Sequence, residues 1–214
     1  NIIKMQKKEG DSLENTIITI ERQYASGGIE IGKKVAEKLN VPCYSDEILE
    51  QAAKNCSIPM EYIESTQENV SQSFLYRLSL AAKTGKSPDE IVSKADILYK
   101  EIEKIIKAMA EKSSCVIIGR CSDYILRDME HCLNVFIHSG FEARIKRAVS
   151  RYGVNENMAD YIIRKNDKRR EYFYNACTGR TWGVKENYHL CLNSEKFGID
   201  NCAEIILNTI GYIK

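Results

Sequence analysis

The chain has no C-x-x-C pair, no apolar run approaching the ~18 residues of a membrane-spanning helix, and no useful surplus of either charge. Each absence closes off a class. Eight cysteines, at positions 43, 56, 115, 121, 132, 177, 191 and 202, are scattered, several inside apolar runs such as SSCVIIG and YHLCLN. That pattern predicts reduced, mostly buried thiols in a cytoplasmic protein, and argues against a disulfide framework or a zinc site. Thirty-one Lys and Arg against thirty Asp and Glu leave a net charge of +1, so neither nucleic acid nor an anionic membrane is attracted globally. Any anion site must be local. The opening NIIKMQKKEG lacks a signal-peptide core, which adds to the expectation of a soluble cytoplasmic protein without a membrane partner. His131, His138 and His189 show no metal spacing and no Ser or Cys partner, and no nucleophile constellation is visible.

With 214 residues, 43% of them hydrophobic, the chain can bury one sizeable core. We expect a single domain over 1–214. Short, continuously apolar segments at Thr16–Ile20, Cys115–Ile118, Leu133–Ile137 and His189–Leu192 read as strands covered on both faces, hence a parallel sheet. Helical patterns alternate with them: Ile31–Leu39, Asp46–Lys54 after a short VPCY link, a long run opened by Ser87-Pro88-Asp89-Glu90, Phe141–Arg151, Asn155–Tyr174 and Asn201–Ile210. Strand then helix, repeated, predicts a three-layer α/β sandwich with right-handed crossovers. Residues 56–85 read as a helical insert on one edge. Ligands of such sheets sit at the carboxyl ends of the strands.

The turn after the first strand lies at such an end. ASGGIEIG offers consecutive main-chain N–H groups to an anion at the positive end of a helix. A phosphate-binding P-loop reads G-x-x-x-x-G-K-S/T, its lysine neutralising terminal phosphates. Laid over that pattern, Gly28 takes the second glycine and Ile29 takes the lysine. The strict motif fails.

ITIERQYASGGIEIGKKVAEKLNVPCYSDEIL nevertheless resembles the opening of the cytidylate kinase-like family, a branch of the P-loop nucleoside monophosphate kinases. The likeness continues through VIIGRCSDYIL, VFIHSGFEARIKRAV, DKRREYFYNACTGRTWG and YHLCLNSEKFGIDNCAEII, covering about residues 16–212 in order. Ala25 in place of glycine and Ile29 in place of a polar or basic residue depart from the family pattern. The resemblance implies a P-loop kinase fold with a core over 16–45, 114–150 and 186–214, a helical monophosphate-binding region over about 46–112 and a lid over about 151–180. It also implies phosphoryl transfer from ATP to CMP or dCMP with Mg²⁺, so the expected partners are nucleotides and not nucleic acid. The rival readings are a nucleotide binder without turnover and, against the near-neutral charge, a nucleic-acid module using the Arg164–Arg170 run.

The same resemblance assigns residues. Ser26, Gly27 and Gly28 would wrap the donor phosphates with main-chain N–H groups, the plainer alternative being a tight turn. Arg22 either braces the loop or touches phosphate; Lys33 either stretches to phosphate or, like Lys34, is solvated. Glu30 is the candidate Mg²⁺ carboxylate, directly or through water, or else faces solvent. Asp46, with Ser45 as a candidate to share either task, meets an acceptor amine or ribose or else caps helix Glu47–Lys54. Arg120, immediately after the strand CVIIG, either meets the acceptor or pairs with Asp123 or Asp128. Arg144 and Arg147 resemble the arginines leading into the lid and are assigned to the donor side. Asp167 and Arg170 have the D-x-x-R spacing that in cytidylate kinases engages the acceptor, and residues three apart share a helical face. Arg164, Lys168 and Arg169 are the candidates for catalytic charge, delivered when the lid closes in place of the missing lysine. Tyr172, Phe173 and Tyr174 are expected in the core, the alternative being to stack on a base, and Trp182 against the turn before the last strand.

Overall fold

Five strands, β1 (Ile17–Arg22), β2 (Cys43–Tyr44), β3 (Cys115–Ile118), β4 (Cys132–His138) and β5 (Leu190–Asn193), pair in parallel in the order β2-β3-β1-β4-β5. The computed structural model describes residues 15–60 and 94–213. Central β1 is apolar on successive residues because both of its faces are covered. Ile17 faces a cluster with Ile48, Ala52, Ile102, Ile106 and Ile125, while Ile18 and Ile20 face another with Ile31, Val35, Cys202 and Ile206. Burying each such isoleucine is worth about 1.5–3 kcal/mol, so the sheet is held from both sides. In register, Ile20 stands between Ile118 and Val135, which brings the carboxyl ends of β1, β3 and β4 to one edge.

Helices α1 (Gly28–Leu39), α2 (Asp46–Asn55), α3 (Lys94–Lys112), α4 (Ser122–Ile125), α5 (Phe141–Tyr152), α6 (Glu156–Thr178) and α7 (Ser194–Thr209) complete the described fold. In α1 the stripe Ile31, Gly32, Val35 and Ala36 is buried, the spacing of one helical face. It packs beside α7, whereas α2, α3 and α4 lie on the opposite side of the sheet. This is the expected three-layer α/β sandwich. Asn155 starts α6 by accepting the Asn157 N–H at 2.9 Å, and Gly179 ends it in the left-handed region. A third, smaller cluster of Ala25, Ala148 and Ile163, with Tyr24 and Phe141 against it, ties the turn after β1 to α5 and α6.

Several boundaries moved. β1 runs on through Glu21 and Arg22, charged residues that an apolar-run criterion stops before. α7 begins at Ser194, capped by Asn193, seven residues before the expected start; Gly198 (φ 78°) kinks it and breaks the helical periodicity there. The four-residue α4 is too short to leave a pattern. The Ser87–Glu90 start signal, and most of the insert expected over 56–85, lie outside the described residues. All eight cysteines are unpaired, Cys115, Cys121, Cys132 and Cys202 being fully buried and Cys191 exposed. No helix among the described residues is long and apolar enough to cross a membrane. Of the three aromatics expected in the core, Tyr174 is 1% exposed, Phe173 packs at its margin, and Tyr172 is 43% exposed. Consecutive residues turn by about 100° on a helix, so three in a row cannot share one face.

Candidate functional site

The turn after β1 is held by its own small residues. Ser26 is fully buried, its hydroxyl donating to the Gln23 carbonyl at 2.9 Å while its own carbonyl accepts from Ser194 Oγ. The Gln23 side chain in turn accepts the Ser139 N–H at 3.1 Å, binding the turn to the end of β4. Gly27 is the N-cap of α1 at φ 82°, and a Cβ placed there would lie 2.3 Å from Ile199 Cδ1 and 2.8 Å from Arg147 Nη1. Glycine is required by both conformation and space. Arg147 therefore sits at the positive end of α1, with its guanidinium 3.4 Å from Glu30. Ile29, at the position of the missing lysine, is half-buried against the cluster of Ile18, Ile20 and Ile31. Lys33 is exposed on α1, near the Cys43 thiol and away from the pocket described next.

Beside the turn, at the carboxyl ends of β1 and β3, opens a cavity of about 190 Å³ lined by Arg22, Arg120, Arg169 and Arg170, by the carboxylates of Glu21 and Asp46, and by Phe173 and Tyr174. Arg22 leaves β1 and lies over Gly119, where a Cβ would be 2.0 Å from its Nη1; its Nε is buried without a hydrogen-bond partner. Arg120 is aimed by a left-handed run, Gly119, Arg120 and Cys121 having φ 75°, 61° and 58°. Two non-glycine residues in that region imply strain retained by the surrounding packing. Arg120 Nη2 meets Asp46 Oδ1 at 2.9 Å, and burial, then the neighbouring Arg22, lowers the pKa of the Arg120 guanidinium. Arg170 Nη1 donates to the Arg22 carbonyl at 2.9 Å; burial, then Arg22, pulls its pKa down to about 9. Guanidinium groups crowded away from water disfavour their own charge, and an anion among them relieves that.

The expected site residues divide. Arg22, Asp46, Arg120, Arg169 and Arg170 come together at this cavity. Ser26, Gly27, Gly28, Glu30 and Arg147 come together at the turn and the start of α1. Asp167 goes elsewhere: it accepts the Tyr24 N–H at 2.6 Å and pairs with buried Arg144, so it shares no pocket wall with Arg170. Arg144 accordingly serves as a brace between α5, α6 and the turn. Arg164 is exposed, bonded to Asp160 at 2.8 Å and stacked 4.5 Å from the Phe141 ring centre, and Lys168 is also exposed. Neither lines the cavity. Asp46 does not cap α2; Ser45 holds the N-cap position without a side-chain cap bond. Nor does Arg120 choose Asp123 or Asp128, which are engaged by Tyr174 and Arg127.

Glu21, Asn166 and Phe173 line the cavity without having been anticipated. A signal for Glu21 existed, since an acid closing the apolar run IITI has to find a partner when the strand is central. Beneath it, Asp123 is 1% exposed and accepts the Tyr174 hydroxyl at 2.6 Å. Burial, reinforced by the Glu21 charge, pushes its pKa up to about 7.

The profile of the cytidylate kinase-like family matches residues 17–196. The chain belongs to that family. A solved structure of an uncharacterized protein from Eubacterium ventriosum resembles it at 28% identity and TM-score 0.68, over 92% of this chain and 98% of its own. More distant solved structures share the P-loop kinase fold. Shikimate kinase from Bacteroides thetaiotaomicron matches at 14% identity and TM-score 0.51, covering 92% of this chain and 98% of its own. A gluconokinase from Sinorhizobium meliloti matches at 14% identity and TM-score 0.52, covering 93% and 97%. Among curated proteins no match is found.

Kinases of this type generally use ATP and Mg²⁺. The glycine cradle at Gly27, with Arg147 against it, fits a phosphate chain. Among the described residues no group of three or more His, Cys, Asp or Glu gathers to hold a metal. Glu30, the carboxylate nearest the turn on α1, lies 3.4 Å from the Arg147 guanidinium.

Proposed function

We propose that this cytidylate kinase-like protein transfers a phosphoryl group from ATP to a nucleoside monophosphate, with CMP or dCMP as the acceptor. The observation that carries the reading is the convergence of four arginines on one cavity at the carboxyl ends of β1 and β3. Arginines outnumber the lining carboxylates Glu21 and Asp46, a wall that suits a phosphate monoester. The donor chain runs over Ser26–Gly28 to Arg147 at the start of α1, and Glu30 supplies the carboxylate for Mg²⁺. Mg²⁺, when bound, neutralises charge on the transferring group. Arg120 and Arg170 hold the acceptor phosphate in line, and Arg22 and Arg169 oppose the charge that develops between donor and acceptor. Helices α5 and α6 act as the lid, carrying Arg147, Arg169 and Arg170 toward the nucleotides. Cytoplasmic location follows as part of this reading.

A second reading, a nucleotide binder without turnover, is favoured by one feature: Ile29 is packed against the core where a kinase of this fold places its lysine. A coupled assay of ADP release over a panel of nucleoside monophosphates separates the two. Turnover with CMP or dCMP supports the first reading. ATP binding with no turnover on any acceptor supports the second.

A further inference from the structure

The two carboxylates of the arginine cavity are built differently. Asp46 has a 74% exposed side chain and is taken by Arg120. Glu21 is only 3% exposed, stands on the central strand, and is fixed from behind. Its Oε2 accepts the Trp182 indole N–H at 3.2 Å, and Trp182 is itself held edge-on to Phe136 at 5.5 Å between ring centres. Arg22 Nη1 stands 3.8 Å away, beyond hydrogen-bond reach. Glu21 nevertheless lines the cavity. A carboxylate accepts up to about four hydrogen bonds, so the indole N–H takes only part of what Glu21 offers.

That placement works against a plain anion. A carboxylate in the wall offsets part of the arginine field and repels any ligand that brings charge alone. It favours a ligand that lays a hydrogen-bond donor on that carboxylate while its phosphate occupies the arginines, because a bond to an ionised acceptor is roughly twice as strong as a neutral one. We propose that Glu21 is a specificity-determining residue, which restricts the acceptor to phosphate monoesters carrying a hydroxyl or amino donor within reach of the strand end. The inference rests on the acceptor-site reading above. Asp123 supports it from below: buried and bonded to the Tyr174 hydroxyl, its carboxyl has a pKa raised by burial and then by the Glu21 charge.

The experiment compares CMP with methyl phosphate, a monoester dianion that has no donor, in titrations of the full chain followed by emission of Trp182, its single tryptophan. Glu21→Gln keeps an oxygen for the indole N–H and nearly the same volume, but presents an uncharged amide to the cavity. The expected result is a crossover. CMP weakens about 10–100-fold, the worth of one charge-assisted hydrogen bond, while methyl phosphate binds as well as or better than to wild type. Parallel weakening of both ligands, or no change in their ratio, overturns the inference and leaves Glu21 as a brace for Trp182 and Arg22. So does a wild type that binds CMP no more tightly than methyl phosphate. The underlying reading has its own arm: an Arg120→Ala/Arg170→Ala variant that binds methyl phosphate like wild type overturns the acceptor site itself. Far-ultraviolet circular dichroism of the free variants matching wild type checks that they are folded.

Discussion

The turn after β1 and the cavity beside it lie within a few residues of each other in the chain, yet they obtain their charge in different ways. The turn works with backbone and small side chains: Ser26 is spent on its own turn, Gly27 leaves room, Ile29 packs downward, and the nearest cation is Arg147 from α5. The cavity is dense in side-chain charge, with arginines from β1, the β3–α4 connection and α6. Where a lysine is absent from the loop, cations stand on neighbouring elements. Of the three residues expected to carry catalytic charge, Arg169 lines the cavity, while Arg164 and Lys168 are exposed and do not.

The comparison breaks first at the arginines. Removing a donor to a developing oxyanion costs roughly 10²–10³ in rate, so Arg22→Ala and Arg169→Ala should each lower ADP release by that much, whereas Arg164→Ala, which loses an exposed pair, should stay within about twofold. Equal losses at all three positions would move the catalytic charge outward along α6. Next is Asp167, which joins the turn to α5 through Tyr24 and Arg144. Asp167→Ala leaves the Arg144 side chain, 8% exposed and with its Nε already unpartnered, as an uncompensated buried cation. A loss of about 3–5 kcal/mol in urea unfolding is expected, and an unchanged midpoint would return Asp167 to the acceptor.

The acid pair under the cavity sets a pH dependence. Asp123 is raised in the folded protein to about 7, above its unfolded value of ~4. The folded state therefore holds more protons between those two values, and stability contributed by the protonated form falls as pH rises through that window and levels off above it. Asp123→Asn should flatten unfolding midpoints measured from pH 4 to 8; an unaltered slope would place the proton elsewhere. Gly27→Ala sharpens the other side of the comparison. A non-glycine residue at φ 82° costs about 1–2 kcal/mol, and the methyl group collides with Ile199 and Arg147, so calorimetry should show weaker ATP binding with CMP binding nearly kept. The smallest effect is expected at Ile29→Lys. The lysine stem can cover the same apolar surface, and turnover should rise modestly or not at all; a tenfold gain would show that the loop lacked a charge its neighbours do not replace.

Much of this was legible in local pattern. The apolar runs at Ile17–Ile20, Cys115–Ile118 and Leu133–Ile137 announced strands covered on both sides, because burial on two faces removes the alternation that a half-exposed strand keeps. The small residues before α1 marked the tight turn into it, since only glycine tolerates that approach and that φ. Arg120 could be placed at the ligand edge because it follows a strand.

Partner choice among the charges was not legible. Coulomb attraction depends on distance in space, while helix periodicity reports only neighbours three or four residues apart. Asp167 and Arg170 share that spacing, but the Tyr24 N–H and Arg144 lie closer to the aspartate, and its bond to Tyr24 spans 143 residues. Arg120 reaches Asp46 across 74 residues, past Asp123 three positions away, because burial had already committed Asp123 to Tyr174. Sequence by itself thus determined the sheet, the helix faces and the glycine turn, each of which needs only local period and sterics. Which cations meet at one cavity, and that Glu21 looks into it, was decided by the tertiary structure, where helix α6 and the Trp182 loop close over the end of the central strand.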